Sequence, residues 1–178
     1  MLERFGAFSE TIAKLYLKQI LVAIEYLHDN GVVHRDIKAE NILIDTSGKI
    51  KVADFGCSKL VLDGGSECKS FLGTPFFLAP EVVRETSYDE KSDIWAIGCT
   101  VIQLLSGKPP WSELNNAFAV VFKIGNTKEP PMFPSNISAN AHDFLTKCLA
   151  IDPKDRPSVR ELRSHPWFND NNDSGDEA

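Results

Sequence analysis

The stretch HRDIKAEN, His34 to Asn41, crowds an acid, a lysine and an amide into a few positions. Asp36 can accept a proton from a hydroxyl, Lys38 can neutralise charge on a group being transferred, and Asn41 offers a hard amide oxygen. Just downstream, two short β-branched runs, Ile42 to Ile44 and Ile50 to Ala53, flank the turn-rich DTSG of Asp45 to Gly48, a pattern that predicts a small hairpin. Folded back antiparallel, residues whose numbers sum to about the same value lie opposite one another, so Asn41 and Asp54 are expected to meet at the open end. Oxygen ligands of this kind suit Mg²⁺, which keeps several waters and is held by one or two protein groups together with substrate phosphates. The chemistry implied is attack of a hydroxyl on a phosphate. The plainer alternative makes Asp36 and Asp54 loop caps and Asn41 a turn former, which is what a lone Asp-x-Lys would mean.

These groups need elements to hold them. From Ser9 onward, FSETIAKLYLKQILVAIEYLHDNG places Ile12, Tyr16, Ile20, Ile24 and Leu27 at steps of three and four, one face of an amphipathic helix with Ser9 as its cap and Gly31 past its end. LVLDGGSECKSFLGTPFFLAPE lacks sustained periodicity and reads as a long loop, of a kind that usually has a function. SDIWAIGCTVIQLLSG is apolar on nearly every side and predicts a buried central helix, starting at Ser92 or Asp93 and ending at Gly107. Further helices are expected over Ala117 to Gly125, Ala139 to Leu149 and Val159 to Ser164, and residues 169–178 read as an acidic flexible tail. The fold class expected is mainly α with a small β-hairpin.

At 178 residues and 43% hydrophobic content the chain can bury a core, and one compact domain is expected. A net charge of −6, without clustered Lys and Arg, argues against a nucleic-acid partner. Cys57, Cys68, Cys99 and Cys148 show no CxxC spacing, so neither a zinc site nor a disulfide framework is expected, and reduced thiols fit a cytoplasmic protein. No apolar run reaches the roughly 20 residues that span a bilayer, so no membrane partner is expected.

Taken in order, His34-Arg35-Asp36 with Lys38 and Asn41, then Asp54-Phe55-Gly56, then Ala79-Pro80-Glu81, resemble the protein kinase signature. The resemblance covers residues 1–168 as a kinase large (C-terminal) lobe, since DIWAIGCTVIQLLSG resembles the family's central helix and DPKDRPS its closing arginine motif. Lys38 and Thr74 resemble serine/threonine kinases, and GTPFFLAPEVV with SGKPPW looks most like the MAP kinase kinase kinase branch. The resemblance implies ATP and Mg²⁺ as cofactors, a protein substrate such as a MAP kinase kinase, and roles for individual residues. Asp36 would orient and deprotonate the substrate hydroxyl, Lys38 would contact the γ-phosphate, and Asn41 and Asp54 would hold the metal. Leu43 would form the floor beneath the adenine. Thr74 would bond Asp36 and Lys38. His34 and Phe55 would stack in the apolar spine between lobes, Asp93 would anchor the backbone around His34 and Arg35, and Glu81 and Arg156 would form a buried ion pair.

The same resemblance makes the loop between DFG and APE a switch. Ser70, four residues before Thr74, stands where the family's loop phosphosite would lie, with Ser66 the weaker candidate, and Arg35 would bind the phosphate bidentately. The alternative is a hydroxyl in a flexible polar loop. The family pattern also includes a Gly-rich loop, a strand lysine and a helix glutamate, and none of these occurs in the sequence. Met1 falls where the segment after the hinge between lobes would begin, so the small lobe is a missing partner and this chain alone is expected to be weakly active or inactive. Two other readings stand beside the enzyme: a non-catalytic kinase-like binding or regulatory module, and a purely structural helical domain.

Overall fold

The computed structural model describes residues 6–55, 59–60, 75–84, 88–114 and 116–169. Helix α1 (Glu10–Asp29) begins where Ser9 turns its hydroxyl to the Ile12 amide and gives way to Gly31, whose φ of 70° is open to glycine at no steric cost. Its buried stripe is Ala13, Leu17, Ile20, Leu21 and Ile24. The stripe is thus rotated from the face predicted by spacing: Ile12 is 41% exposed, and Ala13 and Leu17 take the inner positions. Both sets recur at helical steps, and only the direction of the neighbouring helices separates them.

The neighbour is α3 (Glu90–Ser106), the axis of the molecule, which is capped by Asp89 rather than starting at Ser92 or Asp93 and closes on Gly107 at a φ of 75°. Its residues from Ser92 to Leu104 are buried, as expected for a helix apolar all round. Against it pack α1 and α5 (Ala139–Cys148), and α6 (Val159–Arg163) packs on α1, so that together they close one large core containing Trp95, Phe144 and Trp167. At Gly98 the end of α5 comes close, for an added Cβ would lie 2.7 Å from Leu149 Cγ and 2.9 Å from Cys148 Cβ. A smaller cluster of Trp111, Val120 and Ile124 fastens α4 (Ala117–Asn126) against Val83 of the short α2 (Pro80–Val83). The Glu10 carboxylate ties distant ends of the chain, accepting from the Ser138 hydroxyl at 2.8 Å and from Trp167 Nε1 at 2.7 Å.

Among the described residues, two small antiparallel sheets sit on this helical base. The foreseen hairpin pairs β2 (Ile42–Ile44) with β3 (Ile50–Val52), and Gln19 of α1 clasps it by accepting from the Ile50 amide at 3.0 Å. The other sheet, β1 (Val32–Val33) with β4 (Lys59–Leu60), was not predicted, because two-residue strands leave no periodic signature. Among the described residues no helix is long and apolar enough to cross a membrane.

Candidate active site

The loop from His34 to Asn41 leaves β1 and runs over α3. Ile37, fully buried in the core, pins its middle, and its neighbours Asp36 and Lys38 meet above it. Asp36 Oδ2 accepts from Lys38 Nζ at 2.7 Å and from Asn41 Nδ2 at 2.8 Å, while Asn41 Nδ2 also donates to the Asp36 carbonyl at 2.8 Å. Spacing alone brings these groups near; a short 3₁₀ turn, Ala39–Asn41, is what folds the amide back onto the acid. A nearly buried carboxylate held by a cation and an amide keeps one orientation, an arrangement that could serve a group accepting a proton.

Beneath the loop, α3 presents a polar stripe. Asp93, buried, accepts from the amides of His34 and Arg35, each at 2.9 Å, and from His28 Nε2 at 2.8 Å. Gln103 accepts from the Ala39 amide at 3.3 Å and donates to Glu40 at 2.8 Å. Asp93 clamps a strained place, for Arg35 has a φ of 73° without being glycine, a conformation that costs on the order of 1–3 kcal/mol and persists only when its surroundings hold it. The His34 ring is consumed structurally. Its Nε2 donates to the Ala53 carbonyl at 3.2 Å, its Nδ1 accepts from the Asp36 amide at 3.3 Å, and its face meets Phe55 edge-on at 5.2 Å.

The hairpin carries Asp54 toward Asn41 with a register one residue off the prediction. Ile42 pairs with Val52, so Ala53 lies opposite Asn41 and donates to its carbonyl at 2.8 Å, and Asp54 lies one step beyond. The sum rule placed the pair only to within a residue. Asp54 then turns through a left-handed backbone, φ 64°, which ends the strand and redirects the chain. The donor types fit a hard divalent cation: Asn41 gives its amide hydrogens to Asp36, so its oxygen is the atom that could serve as a ligand, and Asp54 brings a carboxylate to the same end of the hairpin. Leu43 and Phe55 are 53% and 49% exposed on this end of the molecule.

Residues 1–168 match the family described as protein kinase domain. The chain belongs to that family. It is 48% identical over 94% of its length to mitogen-activated protein kinase kinase kinase 2 of Arabidopsis thaliana, covering 26% of that protein. It is 45% identical, again over 94% of its length, to mitogen-activated protein kinase kinase kinase A of Dictyostelium discoideum, covering 18% of it. With mitogen-activated protein kinase kinase kinase 3 of Homo sapiens it shares 42% identity over 92% of this chain and 26% of the relative. The chain therefore spans about a quarter or less of the length of these relatives.

In this kinase domain chain the remaining candidate residues fall into two groups. Arg156 and Glu81 lie together in the core, bidentate at 2.6 Å and 2.8 Å. Ser66, Ser70 and Thr74, with Cys57 and Cys68, lie outside the described residues, as do residues 170–178. Sequence reasoning overlooked His28, Tyr88 and Gln103. Gln103 had a legible signal: Asp93, Thr100 and Gln103, seven and three apart on a helix that is apolar over most of its length, share one face, and Thr100 and Gln103 both reach the loop from it.

Proposed function

We propose that the kinase to which this chain contributes the large lobe transfers the γ-phosphoryl group of ATP to serine or threonine hydroxyls of a protein substrate, in a MAP kinase cascade, with a MAP kinase kinase as the substrate class. The observation that carries this reading is the Asp36 carboxylate fixed between Lys38 and Asn41. Asp36 orients the attacking hydroxyl and takes its proton, and Lys38, already beside that acid, faces the negative charge of the transferred group. Asn41 Oδ1 and Asp54 would hold Mg²⁺, which neutralises charge on the phosphates of bound ATP. Leu43, exposed on the same hairpin, offers an apolar surface to the adenine, and exposed Phe55, backed by the buried His34 ring, adds to it. Buried Nε of Arg35 has no hydrogen-bond partner among the described residues, which suits a guanidinium that receives a phosphate carried on Ser70. The same reading puts the protein in the cytoplasm, where the buried thiols of Cys99 and Cys148 stay reduced.

The test is a phosphate-transfer assay on the isolated chain and on the chain joined to a nucleotide-binding small lobe, each with Asp36→Asn alongside. The joined protein is expected to phosphorylate serine or threonine, with about a 10²–10⁴-fold loss in Asp36→Asn, as for removal of a general base. The isolated chain is expected to be inactive or nearly so. Full turnover in the joined Asp36→Asn protein would overturn the catalytic assignment.

A further inference from the structure

Tyr88 touches Arg35 twice. Its hydroxyl donates to the Arg35 carbonyl at 2.8 Å, and its ring lies under the Arg35 guanidinium, 4.5 Å from centroid to Cζ. The carbonyl belongs to the peptide unit that leads into Asp36, and the other end of that same unit, the Asp36 amide, donates to His34 Nδ1 at 3.3 Å. The peptide joining the two residues is therefore gripped on both sides, by a phenol on its oxygen and an imidazole on its N–H. It follows directly upon the one residue of the loop with a left-handed backbone, Arg35, whose own amide is held by Asp93. A peptide held at both its oxygen and its N–H, beside a strained residue whose own amide is also held, has one orientation; with the Tyr88 anchor gone, its oxygen can swing and carry the Asp36 carboxylate with it. The ring contact acts at the other end of the residue, since a guanidinium stacked on an aromatic face keeps its plane while its N–H edges remain usable.

We infer that Tyr88 is a positioning residue with two separable parts: the hydroxyl sets the peptide that aims Asp36, and the ring sets the plane in which Arg35 meets an anion. The inference rests on the roles proposed above for Asp36 and Arg35. It extends them to a residue outside the HRD, DFG and APE motifs, and assigns the orientation of both groups to a single side chain.

Two variants divide the parts: Tyr88→Phe keeps the ring and removes the hydroxyl, and Tyr88→Leu removes both. Proton–nitrogen NMR spectra of the 178-residue chain read each part directly. The Arg35 Nε–H proton is expected to carry a ring-current displacement in the wild type and in Tyr88→Phe, and to lose it in Tyr88→Leu. The Asp36 amide is expected to exchange with solvent about tenfold faster in both variants, the equivalent of one lost hydrogen bond, with the amides of Ile97 and Ile24 unchanged. Unchanged Asp36 exchange in a folded Tyr88→Phe chain would overturn the hydroxyl's role. An Arg35 Nε–H signal that is the same in Tyr88→Leu as in the wild type would overturn the ring's. Should Tyr88→Leu fail to fold, Tyr88→His, a smaller aromatic without the phenol, takes its place with the ring-current displacement reduced and reoriented; an unaltered signal there overturns the ring's role in the same way. A chain carrying phosphoserine at position 70 separates this inference from the reading beneath it. If phosphoserine leaves the wild-type Arg35 signal unmoved while the variants behave as above, the anion-receptor role fails and the brace stands.

Discussion

Replacing Arg156 with alanine removes a guanidinium that is 1% exposed and bonded on every edge. Its two terminal nitrogens grip Glu81 at 2.6 Å and 2.8 Å, Nε donates to the Ala150 carbonyl at 2.8 Å, and a terminal nitrogen donates to the Lys91 carbonyl at 2.9 Å. The plane also lies 5.0 Å from the Trp95 ring centroid. The variant strips the Glu81 carboxylate of its bidentate counter-ion at a place water does not reach, which for a broken buried pair costs about 3–5 kcal/mol. In a chain of this size each kcal/mol moves the melting midpoint by about 2–4 °C, so a fall of roughly 6–20 °C is expected, read by far-ultraviolet circular dichroism. High salt should leave that difference nearly intact, because a desolvated pair is little screened. The double variant Glu81→Gln, Arg156→Met removes both charges and should melt above Arg156→Ala, since no carboxylate is then left stranded. A midpoint for Arg156→Ala within about 2 °C of the wild type would refute the reasoning, as would a double variant less stable than the single one.

Gly98→Ala should destabilise by about 1–3 kcal/mol through overpacking, because its Cβ would sit 2.7 Å from Leu149 Cγ and 2.9 Å from Cys148 Cβ, and thermal melting checks it. Burial pushes the thiols of Cys99 and Cys148 well above the usual range, so neither should react with a thiol reagent at neutral pH in the folded chain and both should after denaturation, as peptide mapping by mass spectrometry would record. Asp45, in the hairpin turn, accepts from the Ser47 hydroxyl at 2.6 Å and from the Ser47 and Lys49 amides, and these bonds hold its carboxyl below the usual aspartate value. A group depressed on folding lends stability above its unfolded value and loses it as pH falls through the folded one. The advantage of wild type over Asp45→Asn should therefore be full at neutral pH and vanish in strong acid, followed by the Ser47 and Lys49 amide signals; an advantage that grows with acid would contradict the assignment.

How far the sequence could be read depended on whether a residue's partner was close in the chain. Asp36, Lys38 and Asn41 meet within one loop, so their types and spacing announced the cluster, and the β-branched runs around DTSG announced the hairpin to within a residue of register. The misplaced face of α1 shows the limit: Ile12 and Ala13 both sit on helical repeats, and only α3, some eighty residues away, decides which turns inward. The same limit hid Tyr88 and His28. A tyrosine before a helix and a histidine near the end of another look ordinary alone, and their meaning comes from a carbonyl at Arg35 and a carboxylate at Asp93, each more than fifty positions distant. Polar residues on α3 were a different case, since a helix that buries Asp93, Thr100 and Gln103 must give each a partner, and the periodicity already put all three on one side. Burial with polarity is thus the signal that survives long separation. Read that way, the central helix is both the core of the fold and the template that sets the shape of the loop above it, so a change at Asp93 or Gln103 should alter the geometry of Asp36 before it alters the packing of Trp95 or Ile97.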